Sequence, residues 1–209
     1  MKYSSLLLVA ICVIMFILQL VVPGLTDSLV LNQQSFPEVW RFVTSIFLHG
    51  SLSHLVLNMF ALILFGLILE SLIGSKRLLL VFFLSGILAN IVAVNFYNSS
   101  LGASGAIFGV LGCLTIIKPL MTVFVYSVPM PMFLASIVWA VIDALGVFYP
   151  QGIGNIAHLS GLAVGLLMGL YLRFKHSRKQ QQRFQAYSSI SRISIPEDAF
   201  QSWENRFMR

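Results

Sequence analysis

From Leu78 to Ile117 the chain runs for forty residues without a charged side chain. About 20 apolar residues suffice to cross a bilayer once, so one helix cannot take up this run. It has to break, and it holds one cluster of turn formers to break at, Asn98-Ser99-Ser100-Leu101-Gly102-Ala103-Ser104-Gly105. Across all 209 residues, 58% are hydrophobic and 10% are charged, whereas soluble domains carry about 45–50% apolar and about 25% charged residues. The surplus must face lipid. This excludes a soluble enzyme, a disordered chain and a basic nucleic-acid module, and predicts an all-α membrane protein.

The spans can be placed one by one. Leu6–Val22 is nearly all apolar and predicts helix one over about 5–23. A cleaved signal peptide is the rival, because Lys2 supplies a positive n-region. The apolar run exceeds the usual 7–15 residues and ends in Val-Pro-Gly without an A-x-A site, which favours a retained helix. Thr26 to Gly50 mixes polar residues, Pro37 and Trp40-Arg41 with scattered apolar ones. That pattern fits an amphipathic loop lying on the membrane surface with Trp40 at headgroup level. Helix two is expected over 53–73, closed by Glu70 and the basic turn Gly74-Ser75-Lys76-Arg77, and helix three over 77–97. Helix four, 104–117, is short for a bilayer, so it begins below the outer surface. Residues 119–130, between Pro119 and Pro131, read as an apolar loop or a kinked extension. Helix five is placed at 131–148, the turn at Pro150–Gly154, and helix six at 155–174.

This organisation is one six-helix membrane domain, 1–174, followed by a basic tail, 175–209. The tail carries seven of the 13 Lys and Arg against three acids. Such a tail is attracted to anionic lipid headgroups and does not point to nucleic acid. Its Ile193–Arg209 segment, with Phe200, Trp203 and Phe207, fits a short surface helix. With a cytoplasmic N-terminus, Lys2, Lys76, Arg77, Lys118 and the tail all fall inside and only Arg41 falls outside, as the positive-inside rule asks. The expected location is a cell membrane, crossed several times, with both termini cytoplasmic. Cys12 and Cys113 lie in apolar runs and read as small buried hydrophobes.

Polar and ionisable groups in membrane helices are costly and point to function. Here they are His49, His54, Asn58, Glu70, Ser104, Asp143 and His158. Ser104 sits between glycines at the start of helix four. It reads either as an N-cap or as a nucleophile beside backbone N–H groups that stabilise a developing anion. Non-helical backbone at that depth is tolerated only where protein buries it or a watery cavity meets it. His158 precedes Gly161, Gly165 and Gly169, a small-residue stripe suited to close helix packing. Gly105 and Gly109 form a matching stripe on helix four, and setting the two face to face brings His158 near Ser104.

His54 and Asn58 share one helix face. They read as donors to an oxyanion or as interhelical hydrogen bonds. His49 lies about 140° around the helix from His54 and suits a tether for the preceding loop. Glu70 suits contact with water or with the turn at Gly74. Asp143, at the outer end of helix five, suits a solvated helix end more than a third catalytic residue. No metal is expected, since H-E-x-x-H is absent and no acid stands with the histidines.

Taken in order, Trp40-Arg41, His49, His54, Asn58, Glu70 with Gly74, Gly102-Ala103-Ser104-Gly105 and Ala157-His158-x-x-Gly161-x-x-x-Gly165 resemble the rhomboid intramembrane serine proteases. The resemblance covers about 40–174. It implies a Ser–His dyad on Ser104 and His158, and an oxyanion hole of His54, Asn58 and the Ser104 backbone. It also implies supporting places for Gly102, Gly105, His49 and the Trp40-Arg41 loop, no cofactor, and single-span transmembrane proteins as substrates. One position departs from the family. Many members carry a tyrosine four residues after the serine, stacked on the histidine, and here it is Phe108. The competing class is a non-catalytic rhomboid-like protein that binds transmembrane helices. Such relatives typically lack the serine or the histidine, and this chain has both. A small transporter would want an internal repeat or paired broken helices, and one break is visible.

Overall fold

Among the described residues, six helices with apolar stretches carry the fold. They are α1 (Ser4–Val21), α2 (Leu52–Ile73), α3 (Ser75–Ala93), α4 (Ser104–Ile117), α5 (Met132–Phe148) and α6 (Asn155–Ile190). The computed structural model describes residues 3–34, 36–148 and 154–190, with side chains through residue 175. The chain forms two compact units, Met1–Tyr171 and Leu172–Arg209. The turn expected at 150–153 and the surface helix expected over 193–209 lie outside the described residues. Helices α1, α2, α3 and the Asn155–Lys175 part of α6 are long and apolar enough to cross a membrane, whereas α4 and α5 are shorter apolar helices.

In the first unit α4 is the centre. Gly105, Ala106, Ile107 and every residue from Gly109 to Leu114 are buried. Fourteen residues at 1.5 Å each give about 21 Å, short of a hydrocarbon core of about 30 Å. Neighbouring helices approach this one so closely because it is lined with glycine. A Cβ on Gly161 would run into the Gly105 carbonyl oxygen, and one on Gly165 into that of Gly109. The two stripes meet face to face, as their four-residue spacing predicts. On its other side, Gly109 leaves room for Ser85 of α3.

Several elements differ from the sequence expectation. Helix α6 does not stop at 174, because falling hydropathy ends a span without ending a helix, and Arg, Lys and Gln are good helix formers. Helix α3 stops at Ala93, after which β2 (Ser99–Ser100) pairs antiparallel with β1 (Leu31–Asn32). Residues 119–130 are neither an irregular loop nor a kinked helix. They include most of a hairpin, β3 (Thr122–Val125) against β4 (Val128–Pro131). Its turn residues Tyr126 and Ser127 both take positive φ, 49° and 68°, as a two-residue turn matched to strand twist requires.

Glu70 meets the turn after α2, one of the two contacts expected of it, and adds partners on α1. It is buried and accepts hydrogen bonds from the Ser4 and Ser5 amides, at 2.7 and 3.0 Å, and from the Ser5 and Ser75 hydroxyls. It thus satisfies orphan donors at the N-terminus of α1 and ties that end to the α2–α3 turn. The stretch between α1 and α2 holds short helical turns at Leu25–Leu29, Arg41–Thr44 and Ser45–Phe47. Leu31 and Phe42 are buried there against Val94.

Candidate active site

The serine comes first, because the backbone around it is unusual. Ala103 occupies the N-cap of α4 and makes no side-chain cap bond, so Ser104 is the first helical residue. The N-cap reading of Ser104 therefore fails. Among the described residues its hydroxyl makes no hydrogen bond to protein. Gly102 ahead of it has φ +124° and donates its N–H to the Ser45 carbonyl at 2.9 Å. A Cβ at Gly102 would lie 2.7–2.8 Å from the His54 imidazole. Glycine is needed there twice, for the dihedral and for the close approach of the ring.

His54 is positioned by the start of α2. The Ser51 hydroxyl accepts from the His54 N–H at 3.2 Å and so caps that helix. One turn on, Asn58 is buried and donates from its Nδ2 to the His54 carbonyl at 2.8 Å. An amide nitrogen has two protons, so this bond leaves one for another acceptor. His49 does not reach the cavity. It is buried, packs edge-on against His54 with ring centroids 5.1 Å apart, and neither ring nitrogen has a hydrogen-bond partner. Burial above all, helped by the neighbouring His54 and opposed by the Phe47 carbonyl, pushes its imidazole down to about 4. It adds no charge beside the site at neutral pH. The His49 backbone exchanges two hydrogen bonds with the Gln19 amide of α1.

His158 opens the second turn of α6 and is held on two sides. The Phe108 ring stacks on it at 4.4 Å with an interplanar angle of 8°, so the aromatic contact persists without a tyrosine hydroxyl. Such a pair contributes about 0.5–1.5 kcal/mol beyond burial. Its Nδ1 lies 3.0 Å from Asp143 Oδ1. This corrects the reading of Asp143 as a solvated helix end: the residue is 5% exposed, and α5 turns its carboxylate inward. Sequence reasoning also missed Tyr97, whose hydroxyl accepts from the Ile156 N–H at 3.0 Å. It helps secure the start of α6. Asn155 is packed against Gly146 of α5.

These groups surround one cavity of about 1130 Å³, with Ser104, His158, His54, Asn58, Phe108 and Gly102 in its wall. Among the described residues no hydrogen bond joins Ser104 to His158, and both side chains line the cavity. Catalytic hydrogen bonds are often long before substrate binds. Trp40 and Arg41 lie elsewhere. Trp40 is half exposed, and the buried Arg41 guanidinium meets Glu38 and the carbonyls of Asp27 and Val30, at 2.6 and 2.8 Å. Arg41 pins the loop and takes no part in the cavity. Among the described residues no cluster of three or more His, Cys, Asp or Glu is placed to hold a metal ion.

Residues 37–175 match the model of the rhomboid domain. The chain is 33% identical over 137 residues to RHOMBOID-like protein 6, mitochondrial, of Arabidopsis thaliana, covering 65% of this chain and 44% of that protein. It is 27% identical over 173 residues to the rhomboid protease GlpG of Haemophilus influenzae, covering 79% and 88%. It is also 38% identical over 79 residues to Inactive RHOMBOID-like protein 8 of Arabidopsis thaliana, covering 37% and 22%. The chain thus spans less than half the length of both plant relatives.

Proposed function

The chain belongs to the rhomboid family, and from that premise we propose that it is a serine endopeptidase that hydrolyses peptide bonds of single-span transmembrane proteins near the outer membrane face. The observation that carries this reading is one cavity holding a serine with an uncommitted hydroxyl and a histidine fixed on two sides. His158 takes the Ser104 proton as Oγ attacks the scissile carbonyl, then delivers it to the leaving amine. Water next attacks the acyl-serine, His158 again acting as base and then returning the proton to Ser104. The tetrahedral oxyanion forms beside the Ser104 N–H, His54 and the spare Asn58 proton. The test is incubation of purified protein in detergent with a single-span substrate, with and without an alkylfluorophosphonate. Cleavage that stops as Ser104 becomes labelled supports the proposal; intact substrate with an unlabelled serine refutes it.

The oxyanion assignment has its own consequence. Asn58→Ala is expected to lower kcat about 10²–10³-fold, the usual effect of losing one such donor. Its bond within the structure is a local one to the carbonyl one turn back, so the melting temperature should change little. A variant that melts early while keeping its specific activity would return Asn58 to a purely structural role.

The proposal includes six spans in a cell membrane, with residues 1–174 as the membrane domain, 175–209 as a basic tail facing anionic lipid, and the 26–50 loop outside. The Glu70 bonds to Ser4 and Ser5 support it, since they bring the start of α1 and the basic α2–α3 turn to one end of the unit. Reporter fusions at residue 176 should signal from the cytoplasm and fusions in the 26–50 loop from outside. The opposite pattern would reverse the orientation. The second reading is a non-catalytic binder of transmembrane helices, favoured by similarity to a relative named inactive. The serine-labelling experiment separates the two.

A further inference from the structure

Asp143 is a buried ionisable group in contact with the dyad that the dyad chemistry leaves unused. It sits on α5, a helix that supplies no residue to the proposed chemistry, and its side chain is 7% exposed. One carboxylate oxygen reaches the Nδ1 of His158 at 3.0 Å, from a position fifteen residues earlier in the chain.

Resting on the protease reading above, we propose that Asp143 is a positioning residue that sets the tautomer and in-plane orientation of His158, making the site a triad in function. Two independent constraints act on the imidazole. Phe108 stacks flat against it and fixes the plane of the ring, but stacking cannot tell one ring edge from the other. A half-turn about the Cβ–Cγ bond keeps the stack and exchanges the nitrogens with carbons. Asp143 removes that freedom, because only one orientation places Nδ1 against Oδ1.

A carboxylate accepts hydrogen bonds and donates none. Nδ1 must therefore carry the proton, which leaves the Nε2 lone pair as the base for the Ser104 hydroxyl. When Nε2 takes the serine proton the ring becomes an imidazolium with both nitrogens protonated, and Asp143 stabilises that charge. The proton then leaves from Nε2 to the amine. Asp143 remains a carboxylate throughout, the role such an acid plays in serine hydrolases of unrelated folds.

The glycine-packed start of α6 makes this contact dependable. Gly161 lies one turn beyond His158 and is locked against the Gly105 backbone. Asn155, three residues before His158, fills the space over Gly146 of α5, the same helix that carries Asp143. The histidine and the aspartate are thus held by neighbours that have no part in the reaction.

The test compares full-length wild type with Asp143→Asn and Asp143→Ala in detergent. It reads kcat, KM, the rate of fluorophosphonate labelling at Ser104, and the melting temperature. Asparagine keeps the volume but can turn its NH₂ toward Nδ1 and select the wrong tautomer. Both variants should lose kcat, by as much as about 10⁴-fold, the loss seen when a triad acid is replaced by its amide. KM should be retained, labelling of Ser104 should slow in parallel, and asparagine should keep the wild-type melting temperature. Wild-type kcat in both variants, or a loss that only tracks the unfolded fraction, overturns the positioning role and leaves the protease reading intact. A wild-type chain that neither cleaves nor labels overturns both.

Discussion

Ser104→Ala and His158→Ala are each expected to abolish cleavage, a loss of about 10⁴-fold or more in kcat, and the double variant should be little worse than either. Groups that act as one unit are strongly non-additive, because removing one already disables the other. Ser104 is the first residue of α4, and its hydroxyl serves no cap, so replacing it removes no bond on which the helix depends. The melting temperature of Ser104→Ala should therefore match wild type. His158 does have structural contacts, with Phe108 and Asp143. His158→Ala should lose some stability, since it leaves a buried carboxylate without its partner. The measurement is product formed per mole of folded protein, with melting followed in parallel. Wild-type turnover by Ser104→Ala would end the protease reading.

The second large effect concerns packing. Gly165→Val should destabilise the first unit by more than about 3 kcal/mol, at or beyond the usual cost of overpacking, and Gly161→Ala should act in the same direction. The reason is what each new atom would meet. A Cβ on either residue runs into a backbone carbonyl of α4, which cannot rotate away as a side chain can. The helices must separate, and Ser104 and His158, at the starts of α4 and α6, separate with them. Gly154→Ala is the matched control, because a Cβ there stands 3.7 Å from the Ala157 methyl carbon, an ordinary contact. Cys12 and Cys113 are fully buried free thiols, so a thiol-reactive dye reports unfolding directly. Gly165→Val should expose them at a lower temperature than Gly154→Ala. Equal curves would show that the stripe does not hold the helices together.

Much of the site can be read in the sequence because it rests on local rules. The turn formers at 98–105 mark where α4 begins, and the observed helix, Ser104–Ile117, keeps the expected limits. The glycine stripes on α4 and α6 repeat at one helical turn, and that period is enough to pair them. His54 and Asn58 lie on one face for the same reason. The hairpin at β3 and β4 was hidden because Tyr126-Ser127 lacks the glycine or asparagine that usually signals two positive-φ residues.

The remaining features depend on contacts between segments distant in sequence. Glu70 reads from its neighbours as a contact to water or to the turn at Gly74, and it does meet that turn through Ser75, but its partners Ser4 and Ser5 lie more than sixty positions earlier. Arg41 reads as part of a loop lying on the membrane surface, but only the structure shows that the loop folds its own carbonyls around the guanidinium. Asp143 is the sharpest case. Hydropathy and periodicity put it at the outer end of α5, but they do not set the rotation of α5 relative to α6. The sequence alone determined where helices begin, which are apolar enough for lipid and which faces are smooth enough to touch, because those properties belong to residues three or four apart. Only the tertiary structure decided that α5 turns its one carboxylate onto the His158 ring, because that depends on how whole helices rotate and pack against one another.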